Sequence, residues 1–137
     1  MVALRAWYDP DDDDEPIIVA GTDDADALLE RLATDRAAMR VPPLMQLSRR
    51  DPDGWAVLHV GINTDRGVLT HTASTGSFVT ANVSTIGGPP LTYDYMGHLR
   101  ELPANSEIPL ADLRKAVHDF VLSNGERPES VGWQPEE

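Results

Sequence analysis

The chain has 137 residues, of which 41% are hydrophobic and 25% charged, with no cysteine and a formal net charge of −12. A chain of this length buries roughly two-thirds of its unfolded surface, so the expectation is one domain over residues 1–137 with its own core. The missing cysteines exclude disulfides and thiolate metal sites, and the charge speaks against nucleic acid or an anionic membrane as partner and for a basic protein.

The acidity is concentrated at one end. Residues 1–35 hold eleven acids against two arginines, a net −9. The opening MVALRAWYDP has no basic stretch followed by an apolar one, so no signal peptide is expected. No apolar run approaches the ~20 residues that span a bilayer. A cytoplasmic location is the expectation.

Leu4–Tyr8 reads as a short strand. Asp9, Asp11, Asp12, Asp13, Asp14 and Glu15 then place six carboxylates in seven positions, closed by Pro16. Such a run opposes regular packing and reads as a solvated loop. Ile17–Ala20 resumes a strand, so the two strands form a candidate hairpin with the acidic loop at its tip. Thr22, Asp23 and Asp24 offer N-cap side chains. Ala25, Leu28, Leu29, Leu32 and Ala33 recur at helical spacing and predict a helix over about 25–37. Val41-Pro42-Pro43 breaks it, and Leu44–Ser48 reads as a strand.

The stretch 54–84 organises the rest. GWAVLHVGI, GVLTHTA and SFVTANVS are separated by turn-forming NTDR and STG. Three such runs predict an antiparallel meander, whose apolar face needs a cover. Gly87-Gly88-Pro89-Pro90 interrupts the chain. Leu91–Met96 reads as a further strand, with Tyr93 and Tyr95 on one face and Asp94 on the other. Pro109 suits the first turn of a helix. Leu110, Leu113, Ala116, Val117, Phe120 and Val121 then form an amphipathic stripe, predicting a helix over about 110–123. Asn124-Gly125 stops it, Pro128 forbids continuation, and Ser130–Trp133 reads as a short final strand. The fold class is therefore α+β, an antiparallel sheet built on the meander and covered by two helices.

No catalytic constellation appears. His59, His71, His98 and His118 stand in no metal-ligand spacing. The acidic run lacks the turn glycine and distal glutamate of a calcium loop. No GxSxG elbow is present. Pro89 and Pro90 remove amide donors where a phosphate cradle would need them. The expectation is no enzyme, no metal and no cofactor. Tyr93 and Tyr95, read as exposed, are of the type that anchors protein interfaces. With Asp94 and the acidic run they are the candidate partner-binding residues.

Ile108-Pro109-Leu110, Ala116-Val117, Phe120, Gly125-Glu126-Arg127-Pro128 and Val131-Gly132-Trp133 resemble, in order and spacing, a family of immunity proteins of bacterial polymorphic toxin systems. The meander and Tyr93–Gly97 fit the same pattern, so the resemblance spans approximately Gly54 to Trp133. Asp11–Asp14 have no counterpart in it. The resemblance implies an antitoxin that binds a cognate toxin, typically of the deaminase fold, and blocks its basic active-site surface without chemistry of its own. An acidic binding module or nucleic-acid mimic for an unrelated basic protein shares the charge but not the C-terminal pattern. A small enzyme is the remaining alternative.

Overall fold

The computed structural model describes residues 4–8, 17–37, 40–51, 54–82, 88–95, 98–123 and 125–135. In chain order these form β1 (Leu4–Trp7), β2 (Ile17–Val19), α1 (Thr22–Arg36), β3 (Leu44–Asp51), β4 (Gly54–Asn63), β5 (Arg66–Ala73) and β6 (Gly76–Thr80). There follow β7 (Leu91–Tyr95), β8 (His98–Leu102), β9 (Ile108–Pro109), α2 (Leu110–Leu122) and β10 (Trp133–Pro135). The large sheet has the order β10-β6-β5-β4-β3-β1-β2, with β9 joining β5 beside it. Its pairs are all antiparallel.

The meander is as expected, with tighter turns. Asn63 pairs with Arg66 across Thr64 and Asp65, and Ala73 pairs with Gly76 across Ser74 and Thr75. Thr64 takes φ +64° to close its two-residue turn, the left-handed geometry that such hairpins require. β6 ends at Thr80 rather than near Ser84. There the backbone turns to other partners: Ala81 N–H donates to the Gly132 carbonyl, and Asn82 N–H to that of Asn105. β1 and β2 pair as the expected hairpin, Leu4 opposite Val19 and Ala6 opposite Ile17.

Both helices lie where their stripes predict. α1 begins earlier than residue 25, and its cap is Gly21 rather than a Thr or Asp side chain. Asp24 reaches back instead, its Oδ2 accepting from Ala20 N–H at 2.9 Å. Pro109 is the residue that caps α2, not part of its first turn. Leu28, Leu29 and Leu32 of α1 and Leu113, Val117, Phe120 and Val121 of α2 are buried against Leu4, Met45, Leu47, Leu58, Val60, Ile62 and Leu69 of the sheet. Each large side chain removed from water contributes roughly 1.5–3 kcal/mol, so this layer supplies most of the driving force. His118 Nε2 lies 2.7 Å from Asp26 Oδ1 and joins the helices near their exposed side.

The other face of the sheet departs from expectation. β7 does not extend the large sheet. It pairs with β8 as a separate two-stranded sheet. This hairpin covers a second core of Leu44, Val68, Val79, Tyr93 and Leu102, with Leu91 and Tyr95 packed at its margin. Gly61 makes the contact possible. A Cβ there would stand 2.6 Å from the Tyr93 ring and from Leu44 Cδ2. Gly61→Ala should therefore cost about 1–3 kcal/mol through overpacking. A urea unfolding midpoint that does not move would contradict this seating of the hairpin.

Candidate partner-binding surface

The expected exposure of Tyr93 is overturned. It is only 1% exposed, because β7 turns Tyr93 inward onto Gly61 and the second core. Its hydroxyl donates to Glu107 Oε2 at 2.8 Å, and Asn63 Nδ2 donates to the same oxygen at 2.9 Å. Arg36 Nε in turn donates to Asn63 Oδ1 at 3.0 Å. A chain of polar contacts thus joins α1, the end of β4, the residue before β9, and β7. Burial pushes the Tyr93 hydroxyl far above its ordinary pKa, and the Glu107 carboxylate adds to the effect. The phenol stays protonated and serves as a donor throughout the working range.

Tyr95 is half-buried. Its hydroxyl donates to Gln46 Oε1 at 3.0 Å, and its ring meets His59 edge-on at 5.1 Å. Asp94 is held through its backbone, N–H donating to the Pro42 carbonyl at 2.9 Å beside a parallel bridge from Pro43. The hairpin is therefore clamped along its edge as well as from below. By strand alternation its outward side carries Thr92, Asp94, Leu99 and Glu101, with Asp94 opposite Leu99 and Thr92 opposite Glu101. Leu99 is 68% exposed. An exposed apolar residue among carboxylates is a surface feature that sequence reading missed. Its outward placement follows from the pairing of His98–Leu102 with β7, which the sequence does not display.

Asp9, Asp11, Asp12, Asp13, Asp14 and Glu15 lie outside the described residues. Their flanks are well anchored. Tyr8 hydroxyl donates to Asp35 Oδ2 at 2.7 Å, and Arg31 lies 4.6 Å over the Tyr8 ring. Trp7 pairs with Gln46, the residue that accepts the Tyr95 hydroxyl. The chain thus enters the acidic run one strand away from Tyr95.

The histidines are not brought together. His59 lies under Tyr95 with Nδ1 3.2 Å from Thr70 Oγ1. His71 faces the helix layer, with Nε2 3.0 Å from the Gly125 carbonyl and its ring near Phe120 and Trp133. Among the described residues no group of three or more His, Asp or Glu is placed to hold a metal ion.

The C-terminal pattern is a set of structural ties. Gly125 adopts φ +101°, which favours glycine, and its N–H donates to the Phe120 carbonyl at 2.9 Å. Trp133 Nε1 donates to the Pro128 carbonyl at 2.7 Å, and Arg127 lies 4.2 Å over the Phe78 ring. These contacts carry the chain from the end of α2 to β10 along one path.

Two outcomes follow. Tyr93→Phe keeps the ring but takes one donor from Glu107, and should cost about 1–3 kcal/mol in an unfolding titration. An unchanged stability would mean the hydroxyl is not held there. Burial lowers the His59 pKa from 6.5 to about 4, with Arg100 adding to the shift. The unfolded chain then binds this proton first as the pH falls. His59 thus contributes stability that is complete above pH 6.5 and is lost as the pH drops through the window to about 4. His71 is shifted the same way, by burial first and against the pull of the Gly125 carbonyl. His59→Gln should flatten the fall in urea midpoint across that window. A slope equal to wild type would contradict the buried, neutral imidazole.

The description Immunity protein Imm1 matches residues 13–135. The match extends the C-terminal resemblance across β2, α1 and β3, and begins within the acidic run. No curated protein matches the chain. With most of its length covered by one family, the chain belongs to the Imm1 immunity proteins.

Proposed function

We propose that this chain binds and neutralises a cognate bacterial toxin that deaminates nucleic acid, by covering the basic surface through which the toxin holds its substrate. Family membership carries the reading, since an immunity protein acts on a toxin. The charge supports the finer statement. A deaminase acting on nucleic acid needs a positively charged channel beside its zinc site. A protein of net charge −12, with −9 in its first 35 residues, is suited to fill such a channel. Inhibition then needs no chemistry from the inhibitor and no cofactor. It is a cytoplasmic exclusion of substrate by shape and charge.

Two regions divide the work in this reading. Asp9, Asp11–Asp14 and Glu15 raise the rate of encounter through long-range attraction. Asp94 and Tyr95, with Leu99 beside them, contribute short-range contact. Tyr93 acts by holding the hairpin, since its own ring is covered. A tight toxin–inhibitor pair would bury about 1,600 Å² in total, with roughly 20–30 residues on each partner, so contact must continue beyond the two five-residue strands of the hairpin.

The test begins with capture of the partner by the tagged chain from cells expressing the toxin locus. A basic protein carrying an H-x-E and P-C-x-x-C pair identifies a zinc deaminase. A toxin of another class keeps the immunity role and discards the deaminase. Against the captured toxin, replacing Asp11–Asp14 by Asn should lower the association rate about tenfold at low salt and weaken its salt dependence. An unchanged rate in stopped-flow mixing removes the acidic run from the mechanism.

A further inference from the structure

The two edges of the β7–β8 hairpin are not alike. On the β7 side Asp94 N–H donates to the Pro42 carbonyl at 2.9 Å, and Pro43 bridges to Asp94 in parallel. The main-chain groups of Asp94 therefore point away from β8. In an antiparallel ladder, pairs that exchange both main-chain bonds alternate with pairs that exchange none. Asp94 opposite Leu99 is a pair of the second kind, and so is Thr92 opposite Glu101, two residues away. The N–H and C=O groups of Leu99 and Glu101 thus point out from the far side of β8. Among the described residues no strand lies on that side, and these groups have no main-chain partner. His98, Leu99 and Glu101 are exposed there.

An open strand edge is a template for pairing, and folds usually blunt it. The large sheet does so. It ends on β2 and β10, each three residues long. Past β2 the Ala20 N–H is taken by the Asp24 carboxylate. β10 ends in Pro135, which has no N–H to offer. β8 is five residues long, holds no proline and carries Leu99 at 68% exposure. It is also fixed in place. Its partner residue Tyr93 is tied to Glu107, and Leu102 belongs to the second core. A strand held this way loses little freedom when another pairs with it.

We propose that β8 is a pairing edge, to which the toxin adds a strand of its own. The proposal rests on the immunity reading and states how the hairpin engages its partner. In such additions the main-chain bonds give affinity, and alternate side chains give specificity. The outward face here sets Leu99 between Asp94, opposite it on β7, and Glu101, two residues along β8. A matching strand carries an apolar residue against Leu99 and, two positions away, a lysine or arginine beside Glu101. Apolar and opposite-charge pairs across strands stabilise the addition, and like charges oppose it. A second copy of this chain is disfavoured on that ground, since each brings a net charge of −12.

Amide hydrogen exchange of the full chain, read residue by residue by NMR, tests the edge. In the free chain Leu99 and Glu101 should exchange at least tenfold faster than Arg100, whose amide faces β7. With the toxin captured by the tagged chain, both should slow at least a hundredfold. Equal exchange at the three positions in the free chain overturns the proposal, as does a bound toxin that leaves Leu99 and Glu101 fast. A free chain that sediments as a dimer with both amides protected gives the edge to a second copy and overturns it too. Substitutions supply a second arm. Glu101→Pro removes an outward N–H and no bond to β7, and should weaken toxin binding at least tenfold with the Tyr93 and Arg100 amide signals unmoved. Glu101→Lys should weaken binding at least tenfold. Glu30→Lys, the same charge change on the exposed side of α1, should weaken it less than threefold. Equal losses in the two lysine variants overturn the paired basic residue. If the unmodified chain does not bind the toxin at all, the immunity reading fails instead, and exchange in the free chain still decides whether the edge is open.

Discussion

The carboxylate of Glu107 is the point at which both layers of the molecule meet. It accepts from Tyr93 on the hairpin and from Asn63 at the end of β4, and Asn63 is itself held by Arg36 from the helix layer. The backbone beside it is committed as well. Asn82 Nδ2 donates to the Glu107 carbonyl, and Thr80 Oγ1 donates to the Ser106 carbonyl at 2.7 Å. A half-buried charge is costly unless its lone pairs are used. Here donors from two separate elements, β7 and β4, share one carboxylate oxygen, with Arg36 of α1 behind Asn63. The hairpin can therefore hold its position on the sheet without a continuous ladder to it. The outward residues Asp94, Leu99 and Glu101 inherit that fixed placement.

Much of the architecture is legible in the sequence because it rests on local regularities. The meander shows as alternating apolar runs broken by turn residues. The helices show as stripes at 3.6-residue spacing, and α2 is the clearer because Leu113, Ala116, Val117, Phe120 and Val121 fill one face. The hairpin over the second face was not legible as such. Tyr93-Asp94-Tyr95 alternates in the same way whether its tyrosines meet water or a sheet. The available clue was Gly61, a glycine inside an otherwise apolar strand, which marks close approach by another group. That other group turned out to be the Tyr93 ring.

The candidate site was partly legible for a related reason. Acidity can be read directly from composition, and its concentration in the first 35 residues needs no structure. The placement of Leu99 depends on β8 pairing with β7, a relation between segments that no short pattern encodes. A cleft lined by Arg49 and Arg127 is more remote still. It joins residues 49, 55, 78 and 127, which become neighbours only once β3 to β6 are in register and the C-terminal segment has folded back. The Gly-x-Arg-Pro and Trp133 pattern marked kinship, and in the structure most of it serves to route that segment. Arg127 is the member that also faces a cavity.

The molecule thus combines a diffuse property with a placed one. In the proposed reading net charge brings a basic toxin near, and the fixed hairpin makes the contact. The central claim is that this chain inhibits a nucleic-acid deaminase by occupying its substrate surface. The most direct measurement is deamination of a defined oligonucleotide by the purified toxin, titrated with the purified chain. The account predicts a linear loss of activity that reaches zero at one equivalent, with excess oligonucleotide slowing the onset of inhibition. Full activity at several equivalents, or inhibition whose onset ignores the oligonucleotide concentration, would contradict it.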